Sequence, residues 1–584
     1  MTFGYEFVTL EKPQRHERRL ALDFYAQIAQ WSVLVVFALF QLSFFLSWLA
    51  KQGLEYERPR SPSFNKRGDG KWTWLKNSRQ GVERLSWWMK RPVFPNWGTR
   101  GEWIFGGIWM AWLLYLCING TGNDYLHLTK RFGIIGGSQL PLHYLLAMRS
   151  PYSPVQLLTR LSHEQLKASH KTLGRIIYTL FALHACFYLN FFVRTPYTKR
   201  LKDADVIFGI VSITLFSILS TTALGVLRRW NYRVFYISHV LIAGVVIPLL
   251  YLHVHHIRPY IVEVFVIQIL HQIFRNWSLN RYSGTIKLLP GTNLVQVRIP
   301  LTAPSSTLKW KAGQHVYLSR PSGDSPPYST YDQFITRNYT NPFTIASIPA
   351  KDKELLLVAR TLNGNTKELA QLAKSLSSHI GADGPLPSIS LALEGPYGAS
   401  SHLPDFSVFG KVLLIAGGVG ATFVMPLYRS IVEHEGSDSS QQPQIRFVWA
   451  VRKLTETQWA FPVSNEDESA AEVSSHSSTV EVCVTRPSGP NLQADDSGDD
   501  IELAEDDQLL SMEEQMEKPR RGMTLKTGRP EISAIVDDVF SKATGRVAVV
   551  ACGPKALIKE LSNRVEHWVS EGHDVYWHDE AFGW

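Results

Sequence analysis

Long apolar runs separated by short charged ones fill the first half of the chain, and the second half lacks them. Residues at about 28–50, 103–119, 133–148, 170–193, 205–227, 234–254 and 258–275 predict about seven membrane-spanning helices. The third run is short and holds glycine and proline, so it carries the weakest signal. Beyond Arg275 the pattern becomes short alternating runs broken by glycine and proline, such as 285–289, 294–299, 313–318 and 354–360. Such runs predict a small antiparallel barrel. From Lys411 the order is strand, glycine turn, helix, strand, which predicts a nucleotide-binding α/β unit. The expected division is 1–102, an N-terminal segment with the first span and a basic loop, then 103–276, a membrane domain, 281–400, a barrel, and 408–584, an α/β domain.

Two of the apolar runs carry paired histidines, His170 with His184 and His239 with His253, each pair 14 residues apart. On a helix that spacing returns to within roughly 40° of the starting direction and climbs about 21 Å. One face of each helix then presents an imidazole toward each side of the bilayer. Ionisable side chains in a span are expensive and mark cofactor or transport paths. Two such helices facing each other could hold two bis-histidine haems, one above the other. The helices are the fourth and sixth runs, so they run parallel, and His170 pairs with His239 and His184 with His253. His255 and His256 lie just beyond, where either metal binding or ordinary solvation would suit them.

Charge bears on topology. The chain has 60 Lys and Arg against 51 Asp and Glu, a formal net charge of +9. The excess lies in loops beside the spans, so it reports orientation and does not point to nucleic acid. A basic, tryptophan-rich stretch with Arg58, Arg60, Lys66, Arg67, Lys71, Lys76, Lys90 and Arg91 is expected to face the cytosol, as is the loop with Arg228, Arg229 and Arg233. Seven spans then place the N-terminus outside and the C-terminal half inside. The loop 194–204, with Arg194, Lys199, Arg200 and Lys202, conflicts with that scheme, which puts it outside. The four cysteines, Cys117, Cys186, Cys483 and Cys552, are scattered and form neither a disulfide framework nor a zinc spacing. The N-terminus lacks a cleavable signal pattern, so the first span is expected to remain as an anchor.

The soluble half carries further candidates. Asn341, Pro342, Phe343, Thr344 and Ile345 follow a strand-rich stretch and could meet a flavin, an aromatic on the ring and a hydroxyl on a ring nitrogen, although a buried strand with proline at its edge reads the same way. Gly364 and Thr366 open a helix whose free N–H groups could hold a pyrophosphate, or serve as a plain cap. Residues 412–422 form an apolar strand leading through Gly417, Gly418, Val419, Gly420, Ala421 and Thr422 into a helix, the arrangement that lets a phosphate approach the backbone. It departs from the standard dinucleotide fingerprint, and its place between strand and helix is what supports it. A second buried strand ends in Cys552, Gly553 and Pro554, beside the first turn if the sheet is parallel. Residues 488–520 hold Asp495, Asp496, Asp499, Asp500, Glu505, Asp506 and Asp507 with few aromatics, which predicts a disordered acidic insertion.

From His170 to Trp584 these features, with Glu580, Ala581, Phe582, Gly583 and Trp584 at the end, occur in the order found in the fungal and yeast ferric reductases. The chain resembles that branch of the flavocytochrome superfamily, which also includes the NADPH oxidases. The resemblance implies a ferredoxin-reductase-like module, FAD on the barrel, NADPH on the α/β domain and two b-type haems in the membrane. It implies that Phe343 and Thr344 meet the flavin, Thr366 its pyrophosphate, residues 417–422 the NADPH phosphates, and Cys552 to Pro554 the nicotinamide. Arg452 and Arg529 are candidates for the adenosine 2′-phosphate, and Phe582, with Trp584 in reserve, for a cover over the flavin. Asn341 stands where the family usually has His or Arg. The expected activity is electron transfer from cytosolic NADPH through FAD and haem to ferric or cupric chelates across the bilayer, beside a possible downstream metal transporter. The plasma membrane is expected in preference to a vacuolar or other internal membrane. A superoxide-generating NADPH oxidase is the alternative within the enzymes, and a haem-bearing transport or sensor protein with a regulatory soluble half is the alternative outside them.

Overall fold

The computed structural model describes residues 4–56, 81–82, 84–94, 97–150, 152–301, 309–319, 341–362, 365–378, 387–398, 403–433, 443–461, 480–485, 523–543 and 545–580. The chain forms two compact units, Met1–Ser78 with Leu85–Ser278, and Arg79–Arg84 with Leu279–Trp584.

The first unit is helical. Its main elements are α1 (Lys12–Tyr56), α2 (Arg100–Ile118), α3 (Tyr125–Ser138), α4 (Leu140–Ala147), α5 (His163–Arg194), α6 (Ala204–Thr222), α7 (Tyr232–His253) and α8 (Arg258–Trp277). Among the described residues, six helices are long and apolar enough to cross a membrane: those at Lys12–Leu49, Arg100–Ile118, His163–Arg194, Ala204–Thr222, Val234–His253 and His255–Trp277. The seventh expected span, 133–148, is instead divided between α3 and α4 at Gln139. Pro141 near the start of α4 has no N–H to continue the ladder. The buried Gln139 amide holds the break by donating to the Ala29 carbonyl at 3.0 Å and accepting from the Trp109 indole at 3.2 Å. Capping boxes start α2, from Thr99 and Glu102, and α5, from Ser162 and Gln165. Each satisfies N–H groups that the helix leaves open, a contribution of about 1 kcal/mol.

Packing in this unit follows the logic of a bilayer. Leu113, Ile135, Ile177, Leu180 and Val264 are buried in the core, while Trp31, Leu39, Ile207, Ile210, Val262 and Phe265 are exposed. Large apolar faces turned outward on long helices suit lipid contact. The buried Arg131 of α3 joins three helices: it donates to the Leu116 carbonyl at 2.9 Å and to His127 at 3.2 Å, and its guanidinium lies 3.6 Å over the Tyr25 ring.

The second unit starts with β1 (Leu279–Leu288), β2 (Leu294–Pro300), β3 (His315–Ser319), β4 (Asn341–Thr344), β5 (Glu354–Arg360) and β6 (Ile389–Tyr397). They form an antiparallel sheet in the order β4-β3-β6-β1-β2-β5, and a bridge from Ile345 to Leu357 brings its two edges together as a near-barrel. Ile286, Val297, Val316, Leu318 and Leu355 fill it. Helix α9 (Asn365–Ser378) packs on this sheet. The α/β part has β7 (Lys411–Gly417), β8 (Gln444–Val451), β9 (Val480–Val484), β10 (Met523–Thr527), β11 (Val547–Cys552) and β12 (Val575–Glu580), all parallel, in the order β10-β9-β8-β7-β11-β12. Its helices include α10 (Ala421–Glu433), α11 (Ile532–Ser541) and α12 (Lys555–Ser570). Strands β7 and β11 are buried almost throughout, as central strands of a parallel sheet covered on both faces must be.

Barrel and α/β part pack against each other through one shared cluster. Leu289, Leu294, Leu356 and Val358 of the barrel pack in the same cluster as Val412, Leu414, Phe423 and Leu427. Arg429 of α10 grips Asp352 with two hydrogen bonds of 2.9 and 2.7 Å. The acidic insertion predicted at 488–520 lies outside the described residues.

Candidate metal centres and nucleotide site

Helices α5 and α7 run parallel because α6 returns the chain between them, and their four histidines meet in two pairs. The His170 and His239 ring centroids are 6.3 Å apart, and those of His184 and His253 are 6.4 Å apart. Two imidazoles that grip one metal ion from opposite sides, with nitrogen–metal bonds of about 2 Å, have ring centroids about 6 Å apart. The spacing therefore fits a bis-histidine haem at each level. The hydrogen bonds fit as well. His184 Nδ1 donates to the Thr129 carbonyl at 2.7 Å, His253 Nδ1 to the Asp205 carbonyl at 2.6 Å and His170 Nδ1 to the His143 carbonyl at 3.2 Å, given the tautomer with the proton on Nδ1. That tautomer leaves each Nε2 lone pair for a metal. His239 Nδ1 is buried and has no partner among the described residues.

Several residues that shape these pairs escaped the sequence reading. A Cβ at Gly133 would lie 2.7 Å from the His184 ring, and one at Gly209 would lie 2.5 Å from the His253 ring. Glycine is what lets α3 and α6 close on the two imidazoles. His143 of α4 stacks on His170 with centroids 4.0 Å apart and planes 10° apart. It stood alone in the weakest predicted span, without a partner at helical spacing, so no sequence pattern singled it out. His256 meets the Asp23 carboxylate at 3.0 Å.

On the barrel, Asn341 and Pro342 are half-buried, and Phe343 and Thr344 are buried. Phe343, expected to meet the flavin, packs in the barrel core with Val316, Leu318 and Trp310. Strand alternation leaves Pro342 and Thr344 on the opposite face, paired across to Tyr317 and His315. Tyr397 joins them, 5.5 Å from Tyr317 and 6.1 Å from His315. Its hydroxyl donates to Glu394 at 2.9 Å. Ile345, after β4, lies in the core. At the start of α9 the Thr366 hydroxyl accepts from the Leu362 N–H at 2.9 Å, so its own proton remains free to donate. Beside it, Asn365 Oδ1 is buried and has no partner among the described residues. Gly364 lies outside the described residues.

The glycine turn after β7 and the Cys552 turn after β11 sit against each other, because those strands are neighbours. A Cβ at Gly420 would meet the Cys552 carbonyl oxygen at 2.2 Å, and one at Gly417 would meet Pro554 at 2.6 Å. A Cβ at Gly553 would lie 3.0 Å from the Gly417 nitrogen. Gly418 has φ +55°, and its carbonyl accepts from the Trp449 indole at 2.9 Å. Val419 packs at the edge of the core, Ala421 and Thr422 are buried, and the Thr422 hydroxyl donates back to the Val419 carbonyl at 2.8 Å. The N-terminus of α10 thus opens at the turn, where its N–H groups and dipole favour an anion.

Other candidates fall along the same carboxyl edge of the sheet. Arg452 follows β8 and Arg529 follows β10, both exposed, and two strand spacings put them on the order of 10 Å apart. Cys552 pairs in register with Glu580. Burial, with help from the Glu580 and Asp579 carboxylates, pushes the Cys552 thiol far above its ordinary range. It is a neutral thiol at physiological pH and not a nucleophile. Phe582 and Trp584 lie outside the described residues.

Trp449 belongs to no motif, and its role comes from the bond to Gly418. Trp449→Phe retains most of its buried volume and deletes the bond to Gly418. The expected result is a loss of about 1 kcal/mol in stability and a severalfold rise in KM for the pyridine nucleotide, with kcat changing less. Thermal unfolding and steady-state kinetics on the same sample check it.

Three family models match in succession: a ferric reductase like transmembrane component over residues 132–250, an FAD-binding domain over 278–401 and a ferric reductase NAD binding domain over 409–566. A probable metalloreductase of Scheffersomyces stipitis is 23% identical over 529 residues, 88% of this chain and 91% of that protein. Ferric reductase transmembrane component 3 of Saccharomyces cerevisiae is 23% identical over 471 residues, 76% of this chain and 59% of the yeast protein. Ferric/cupric reductase transmembrane component 2 of Schizosaccharomyces pombe is 22% identical over 484 residues, 77% of this chain and 80% of that protein. With membrane, flavin and nucleotide parts in this order and relatives spanning all three, the chain belongs to the fungal ferric reductase family.

Proposed function

We propose that the protein is an NADPH-dependent ferric or cupric reductase that uses FAD and two b-type haems to carry electrons to metal complexes on the opposite side of the membrane. The observation that carries this reading is the pair of histidine couples, 6.3 and 6.4 Å between rings, stacked along two parallel helices. A single couple would suit a haem-bearing sensor. Two in series suit a path across the bilayer.

When bound, FAD accepts a hydride and returns electrons singly, and haem iron carries them one at a time. The chain's own residues hold these groups and exclude water. His170 with His239 and His184 with His253 would ligate the irons, and the carbonyls of His143, Thr129 and Asp205 would fix the rings. Pro342 and Thr344 would face the flavin, Phe343 would support them from the core, and Asn365 and Thr366 would meet the pyrophosphate. The turn at Gly417 to Thr422 would hold the nucleotide phosphates, and Cys552 to Pro554 the nicotinamide. Arg452 and Arg529 favour NADPH over NADH, because two cations on the sheet edge suit a 2′-phosphate. Phe582 is proposed as the cover of the flavin ring, with Trp584 in reserve. The proposed role is iron and copper uptake at the plasma membrane, handing reduced metal to a transporter.

Purified protein in lipid discs, loaded with haem and FAD, is expected to oxidise NADPH in step with ferric-chelate reduction, at a rate superoxide dismutase does not change. NADPH oxidation that yields superoxide and no dismutase-insensitive ferrous product would reverse the assignment in favour of an oxidase.

A further inference from the structure

One feature of the sequence stands against the topology rule, the basic loop 194–204. In the fold it lies at the His184/His253 end of the helices. Asp205, whose carbonyl accepts from His253 Nδ1 at 2.6 Å, has its carboxylate 3.6 Å from Arg200. Thr129, whose carbonyl accepts from His184 Nδ1 at 2.7 Å, is followed directly by Lys130. A cation is thus one residue, or one ion pair, away from each backbone group that orients this histidine pair. Lys130 is half-buried and lies within electrostatic reach of Arg18, Arg19 and Arg200, with Asp124 the carboxylate among those neighbours. Arg18 already engages Asp124 at 2.9 Å. In the loop itself Arg194, Lys199, Arg200 and Lys202 are all exposed, beside Asp203 and Asp205.

Like charges gathered on one rim repel one another, and on the reductase reading, which puts the nucleotide-binding unit in the cytosol, this basic loop lies on the other side, against the usual bias of membrane insertion. Such an arrangement is stabilised by an anion. We infer that Lys130 and Arg200, with the loop lysines around them, form the acceptor-docking rim of the His184/His253 end, built for metal complexes of carboxylate ligands that carry net negative charge. This rests on the reductase reading above and adds the chemical class of the acceptor. The rim would steer an anionic chelate toward the His184/His253 end, and cationic acceptors would be disfavoured. The same cations would suit a carboxylate of the haem itself, and the experiment separates the two.

The test uses full-length protein in lipid discs and two variants, Lys130→Gln and the triple Lys199→Gln/Arg200→Gln/Lys202→Gln. Ferric citrate serves as the anionic acceptor and hexaammineruthenium(III) as the cationic one. The ratio of kcat/KM for the anionic over the cationic acceptor is expected to fall about tenfold in each variant, with weaker dependence on salt. Gallium(III) citrate, similar in charge and redox-inert, should bind each variant correspondingly more weakly while haem content and absorbance stay as in wild type. An unchanged acceptor ratio with unchanged gallium citrate binding overturns the inference. So does loss or spectral change of haem at an unchanged ratio, which would assign the cations to the haem carboxylates. If the wild type reduces no ferric chelate, the reductase reading fails, and gallium citrate binding still decides the rim.

Discussion

Replacing His170, His184, His239 or His253 by alanine is expected to remove one of the two proposed haems from the purified protein and to lower reduction of the acceptor by the pyridine nucleotide at least about a hundredfold. The geometry explains why no single ligand is dispensable. Each pair is set by two different helices at a ring separation of 6.3 or 6.4 Å, so a lost imidazole leaves its partner opposite a void. His143 does not replace His170 in this scheme. It stacks flat on that ring at 4.0 Å. Haem per polypeptide and the reduced-minus-oxidised spectrum measure the outcome without reference to activity. Full haem content in any one of the four variants would remove that histidine from the scheme. Flavin content and flavin reduction by NADPH should be retained in all four, because the nucleotide turn belongs to the other compact unit.

Gly420→Ala is expected to cut the rate of flavin reduction by NADPH on the order of a hundredfold while leaving both haems in place. The added Cβ would sit 2.2 Å from the Cys552 carbonyl oxygen and 3.1 Å from the Gly553 nitrogen. Both are backbone atoms of the neighbouring turn, so no side chain can rotate away. One turn must move off the other, an overpacking cost of about 1–3 kcal/mol, and the two turns between which the nucleotide is proposed to lie would separate. Stopped-flow flavin reduction, with haem absorbance as an internal control, reads this. Wild-type reduction at wild-type KM would show that the close approach of the turns has no part in nucleotide binding. Gly418→Ala offers a contrast: its Cβ meets nothing within 4 Å, and only the φ of +55° resists the change.

Much of this protein is legible along the chain because its strongest signals are periodic. An apolar run of about 20 residues has few fates other than a span. Histidines repeating at 14 residues on two such runs define a face and, through the parity of the intervening crossing, their partners. The glycine turn and the Cys552 turn are recognisable for a similar reason: a buried parallel strand reads as continuous apolar sequence and must end in something that lets the chain turn. The sequence by itself therefore determined the order of the parts, the four histidines, their pairing and the strands that bear the nucleotide turns.

Tertiary structure decided what depends on contacts between distant segments. The break at Gln139 is stable because Ala29 and Trp109, far away in sequence, supply its hydrogen-bond partners. That Phe343 packs in the barrel core, with Pro342 and Thr344 on the other face, follows from how the barrel closes. Gly133 and Gly209 carry no motif at all, and their meaning appears only when a neighbouring helix brings an imidazole within 2.7 and 2.5 Å of an absent Cβ. Barrel and α/β part, separable by pattern, became one body through a shared core and the Arg429–Asp352 pair. Periodicity records which way a residue faces within its own element. Which atom waits opposite is set by packing, a property of pairs of elements that no single stretch of chain encodes.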